Sequence, residues 1–142
     1  MNHKRNIFTI FPIAVALIPL LLAVILLASP ARAATITVNT IDDELNADGD
    51  CSLREALLAA NTDAAVDACS AGSGADTITV PPGLYQLTVS GAGEDSGASG
   101  DLDITGSVTI NGGGVGITIV DGLASDRVFD IHFGAQATLS GL

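Results

Sequence analysis

Beyond residue 33 the chain contains no lysine, and it has no tryptophan anywhere. Arg54 and Arg127 stand there against all 16 acidic residues, which leaves a net charge of −14 with histidine neutral. A surface of that sign repels nucleic acid and anionic lipid, so binding driven by phosphate contacts is excluded. It suits secretion and the binding of cations. Histidine is almost as scarce, with His132 alone beyond the first few residues. No complete Ser/His/Asp, Cys/His or phosphate-binding arrangement can be drawn from what is present.

Cysteine is limited to Cys51 and Cys69. No histidine lies near either, which argues against a metal site. An even count in an exported chain favours one disulfide. It closes a loop of about 19 residues and is worth roughly 3 kcal/mol if unstrained.

The N-terminus supplies the export signal. Lys4 and Arg5 form a short positive region, and Ile7 to Leu27 carries no charge. Ala28-Ser29-Pro30-Ala31-Arg32-Ala33 follows, with the small residues Ala31 and Ala33 in the A-x-A pattern of signal peptidase sites. Residues 1–33 are therefore expected to be a signal peptide cleaved after Ala33. The alternative is an uncleaved anchor, because an apolar run of about 21 residues is long enough to span a bilayer. Pro12 and Pro19 interrupt that run.

Two textures follow. Residues 34–75 hold one alternating β-branched run at Thr35–Val38, an acidic loop at 42–50 and one helix. Ser52 and Glu55 form a capping box, and Leu53, Ala56, Leu57 and Ala60 make one apolar stripe ending near Asn61. Residues 76–142 are short β-runs: Thr77–Val80, Tyr85–Val89, Leu102–Ile104, Val108–Ile110, Ile117–Val120, Val128–Ile131 and Ala137–Leu139. Asp103-Ile104 with Val108–Gly112 aligns with Asp130-Ile131 and Ala137–Gly141, at offsets of 27 and 29 residues. Asp76 to Asp103 is also 27. Such spacing suggests a repeat architecture. A β-sandwich has a similar strand count, but the brevity of the strands and the repeat favour stacked turns of chain. The expected fold is all-β, a right-handed parallel β-helix (solenoid). Residues 34–75 form its helical, disulfide-stapled N-terminal cap and residues 76–142 its first turns. Because Thr138–Leu142 stops inside a strand-like run, the solenoid is expected to be C-terminally incomplete, the rest of it missing.

Cys51-Ser52-Leu53-Arg54-Glu55-Ala56 stands between Asp48-Gly49-Asp50 and Leu57-Leu58-Ala59-Ala60-Asn61. This stretch resembles the CSLREA-type N-terminal domain, named for those six letters. In that family the motif lies just behind a signal peptide, and pectate-lyase-like parallel β-helix repeats commonly follow. The runs Asp76–Val80, Gly83–Tyr85 and Val108–Gly114 look like the first of them. The resemblance implies architecture and an extracellular or cell-surface address, with no catalytic role for the motif.

Two candidate chemistries remain. Counting Glu44 as position 1, the acidic loop nearly fits an EF-hand: Asn46, Asp48, Gly49 and Asp50 follow, with Ser52 at 9 and Glu55 at 12. Calcium is thus the candidate ion for Glu44, Asn46, Asp48, Asp50 and Glu55, although Glu55 is also needed by the capping box. No other cofactor is expected. Gly113–Thr118 starts like a β-roll calcium repeat but has Thr118 where aspartate is required. The fold by analogy suggests a polysaccharide lyase or hydrolase, with pairs drawn from Asp101, Asp103, Asp121, Asp126 and Asp130. Acids this abundant make any pair unremarkable, and His132 reads as a strand-end surface residue. The expectation is therefore a non-catalytic N-terminal region of a secreted or cell-surface protein, serving adhesion, glycan binding or structural display. Its partner would be an extracellular glycan or cell surface, with no nucleic acid, and no membrane once the signal is cut. The alternative is the N-terminal part of a polysaccharide-cleaving enzyme whose active site lies beyond this chain.

Overall fold

A computed structural model describes residues 32–142. The signal peptide assigned above lies outside these residues, apart from Arg32 and Ala33, which are exposed and in no regular element. The elements are β1 (Thr35–Thr37), α1 (Leu53–Thr62), β2 (Ala75–Val80), β3 (Gly83–Gln86), β4 (Leu102–Ile104), β5 (Ser107–Gly112), β6 (Thr118–Asp121), β7 (Phe129–Ile131) and β8 (Gln136–Ser140). None of the described helices is long and apolar enough to cross a membrane.

Every strand pairing is parallel. One sheet has the order β1-β2-β5-β8, a second pairs β3 with β6, and a third pairs β4 with β7. Strands this short and β-branched bury too little alone, so register decides what they bury together. Ile36, Ile78, Ile110 and Leu139 are successive partners across the four-stranded sheet. The three isoleucines are fully buried, each worth about 1.5–3 kcal/mol. On the opposite face Thr35, Thr77, Thr109 and Thr138 line up in the same way. The aligned dipeptides are partners too: Asp103 with Asp130 and Ile104 with Ile131, while Asn111 meets Ser140. The offsets of 27 and 29 are therefore strand-pairing offsets. The third spacing is coincidental, since Asp76 pairs with Val108 in another sheet.

The expected right-handed parallel β-helix is not what forms. The described chain is a small body of short parallel sheets with one helix, and it contains no solenoid. A stable solenoid needs about three or more repeats stacked on every face. Here two of the three sheets stop at two strands. Much of the core is not β at all: Cys51, Leu53, Ala56, Leu57, Ala59, Ala60 and Cys69 come from α1 and its flanks. The all-β description fails for the same reason. Burial fades along the four-stranded sheet, and Leu139 on β8 is left exposed.

The helix is held by its ends. Ser52 and Glu55 complete the capping box, and Asp63 in the left-handed region ends the helix, two residues past the expected stop. Near that end Asn61 behaves like a piece of strand. Its amide donates to the Asp103 carbonyl at 2.7 Å and accepts from the Thr105 amide at 3.0 Å. These bonds satisfy the edge of β4 that β7 leaves open. At the other end the Cys51–Cys69 disulfide fastens the helix start to the following loop, as expected.

Candidate functional site

The six-residue motif is buried throughout, from Cys51 to Ala56. Arg54 is the largest of its side chains and has all five guanidinium N–H groups engaged. Nε donates to Asp43 Oδ1 at 2.6 Å and Nη2 to Asp43 Oδ2 at 3.1 Å. Nη1 donates to the carbonyls of Gly97 and Asp101, and Nη2 to that of Gly100. Asp43 Oδ2 also accepts from the Val89 amide at 2.8 Å. Three segments distant in sequence thus meet at one guanidinium, whose planar fork suits such a junction. The approach of residues 97–101 depends on Gly100. Its φ is +68°, and a Cβ there would run into the Gly91 carbonyl.

The five residues of the expected calcium loop are only partly brought together. Glu44, Asp48 and Asp50 converge, with one oxygen of each within 4.8 Å of the others. Glu55 is spent: Oε1 accepts from the Asn46 amide and Oε2 from the Ser52 amide. Asn46 turns its side-chain amide onto Glu44 Oε2, and Ser52 Oγ donates to the Glu44 carbonyl. An EF-hand arrangement with a bidentate Glu55 is therefore not formed. Desolvation, then the charges of Asp48 and Asp50, raise the Glu44 pKa above 4.5. Desolvation and Asp48 likewise raise Asp50 above 3.8. Both carboxyls favour the protonated form when folded. Their repulsion is relieved, and stability rises, as pH falls through the raised values. Asp67 sits beside them, with Oδ2 accepting from the Gly49 amide at 2.8 Å.

A second polar cluster lies on the outer face of β4 and β7. The pairing sets Asp103 directly opposite Asp130, a like-charge contact that costs stability by itself. Two side chains offset it, Arg127 at all pH values and His132 when protonated. His132 Nε2 lies 2.8 Å from Asp103 Oδ1, and Arg127 reaches Asp130 Oδ2 at 3.2 Å and Asp101 Oδ2 at 2.8 Å. Asp95 completes the group. Asp103 is fully buried, and its second oxygen accepts from the Gly97 amide at 2.7 Å. Neither oxygen is free to reach a sugar, so the pair of carboxylates that glycoside cleavage requires is not available at this position. Asp121 and Asp126 are elsewhere engaged, in a turn bond to the Leu123 amide and a contact with Arg127.

The Asp103 hydrogen bond raises the His132 pKa above 6.5, helped by the nearby charges of Asp103, Asp130 and Asp95 and opposed by desolvation. The folded state favours the protonated imidazole. Its contribution is complete below the ordinary value and is lost as pH rises through the higher folded one. Melting temperatures of the wild type and His132→Gln, followed against pH, are expected to differ most in acid. They should converge as pH climbs well past 6.5.

A cleft between Asp42-Asp43 and Leu84, Gln86 and Thr88 encloses about 140 Å³. Pockets for drug-sized ligands start near ~300 Å³, so this cleft holds no such molecule. Compared with known protein families, with curated proteins and with solved structures, the chain finds no match. The Asp103–His132 contact has a signal in the sequence that the strand-end surface reading of His132 does not use. An offset of 27 sets Asp130 beside Asp103, and His132 is two residues further along the same strand face.

Proposed function

We propose that this chain is a non-catalytic part of an exported protein, acting outside the cytoplasm in adhesion, glycan binding or structural display. The observation that carries the reading is the burial of the whole motif from Cys51 to Ala56, with every N–H of Arg54 spent on internal partners. Such a motif assembles the protein and offers nothing to a substrate. That is the architectural role implied by its resemblance to the CSLREA-type domain. The disulfide, the leader-like first 33 residues and the acidic surface support an oxidising, extracellular setting. Expressed with its own leader, the protein should be recovered outside the cytoplasm with Cys51 and Cys69 oxidised. It should leave pectin-like polysaccharides uncleaved. Retention inside the cell, or cleavage by the purified chain, overturns the reading.

A second reading adds a divalent cation at Glu44, Asp48 and Asp50. It is favoured by two buried oxygens, Glu44 Oε1 and Asp50 Oδ1, which accept no hydrogen bond from elsewhere in the protein and face each other. A hard cation takes such oxygens as ligands, and calcium fits a site of several carboxylates. Millimolar calcium is expected to raise the melting temperature of the wild type and to leave Asp50→Asn unmoved. No rise in the wild type removes this reading.

A further inference from the structure

We infer that cleavage after Ala33 creates a structural ion pair, between the new α-ammonium group of Ala34 and the buried carboxylate of Asp76. This rests on the export reading above and assigns a second role to the cleavage. Hydrolysis of the Ala33–Ala34 peptide bond consumes one water. It leaves a carboxylate on Ala33 and an amine on Ala34, which takes up a proton at neutral pH.

Among the described residues four carboxylates are fully buried: Glu55, Asp76, Asp101 and Asp103. Asp101 has Arg127 and Asp103 has His132. Glu55 sits in the first turn of α1, where the helix dipole favours negative charge. Among the described residues Asp76 has no ion-pair partner. Its oxygens accept from backbone amides, Oδ1 from Ala34 at 2.8 Å and both from Ser73 at 2.9 and 3.1 Å. A buried carboxylate without a counter-charge is costly, and amide donors offset only part of that cost.

The nitrogen already in contact is the one that cleavage converts. As an amide it brings one N–H, and as an ammonium it brings three and a full positive charge to the same place. The residue is held from the other side too, because the Ala34 carbonyl accepts from the Thr77 amide at 2.9 Å. Arg32 and Ala33 are exposed and outside β1, so the bond to be cut precedes the ordered strand. Glycine at position 72 lets the carboxylate fit, since a Cβ there would collide with Asp76 Oδ2.

The test exploits the absence of lysine beyond residue 33, which leaves the α-amine as the only primary amine within residues 34–142 once the leader is removed. Protein exported from the full-length precursor is purified, and its first residue is read by N-terminal sequencing. The rate of acylation by a small amine-reactive ester is then followed by mass in native buffer and in urea. The expected result is Ala34 as first residue and an amine that reacts about tenfold or more slowly when native, the scale set by one charged hydrogen bond. Asp76→Asn should remove that protection. A chain that begins elsewhere overturns the processing reading, and the pair with it. A chain that begins at Ala34 but reacts at the same rate native and unfolded overturns the pair alone. If Asp76→Asn does not fold, the wild-type comparison still decides. A folded variant with undiminished protection excludes Asp76 as the partner.

Discussion

Arg54→Ala is expected to destabilise the protein by about 3–5 kcal/mol, the usual cost of removing one member of a buried ion pair. The Arg54 side chain is fully buried and that of Asp43 is 4% exposed, so the abandoned carboxylate gains no water. The carbonyls of Gly97, Asp101 and Gly100 lose their donors in the same change. A small domain has a total stability of about 5–15 kcal/mol, so the loss is a large fraction of the whole. Arg54→Lys should not restore it, because a point charge with three rotatable donors cannot serve two carboxylate oxygens and three carbonyls in one plane. Arg127→Ala is the control. That side chain is half exposed, so its removal lets water reach the Asp101 carboxylate beneath it, and the urea midpoint should shift less than for Arg54→Ala. An Arg54→Ala midpoint close to that of Arg127→Ala would show that the buried network contributes little.

Loss of the disulfide is expected to cost about 3 kcal/mol, read as the drop in urea midpoint between oxidised protein and the Cys51→Ala/Cys69→Ala double variant. Both cysteines are buried and separated by 18 positions, so the bridge restrains a loop that is floppy once unfolded. When folded, the loop has further ties. The Ala68 amide donates to the Asp50 carbonyl, Gly72 donates to Ala59, and Val66 and Cys69 exchange backbone bonds. The loop should therefore keep its native path in the variant, with the loss falling on stability alone. Cys51 lies just before the N-cap of α1 and Arg54 in its first turn, so the two effects are not independent, and Arg54→Ala without the bridge should be the least stable of these variants. A double variant as stable as the oxidised wild type would leave the bridge no structural role.

What could be read from the sequence was mostly local. The capping box needs only Ser52 and Glu55 three residues apart, and the apolar stripe of α1 needs only helical spacing. Both appear as expected. The cysteine pair was equally legible because there was no other pairing to consider. The repeat spacing reported which strands become neighbours, but not how many would stack. Reading it as a solenoid overstated what two-stranded sheets can build. The partners of Arg54 could not be found from the motif. Asp43 lies 11 positions before it and the carbonyls 43 to 47 after, and neither distance leaves a periodic trace. The acidic loop misled for a different reason. Glu55 fits position 12 of a calcium loop, but two backbone amides claim its oxygens first.

The reach of the Arg54 contacts also has a consequence in time. A chain made from its N-terminus has both cysteines available once residue 69 has emerged, whereas the last carbonyl that Arg54 needs arrives with Asp101. Contacts between positions far apart in sequence form late, after the entropy of closing a long loop has been overcome. The order of assembly is thus written into these separations. The bridge can close on a half-made chain while the guanidinium is still in water. The contacts that join the acidic loop and the helix to the chain after residue 97 can form only once that later chain exists.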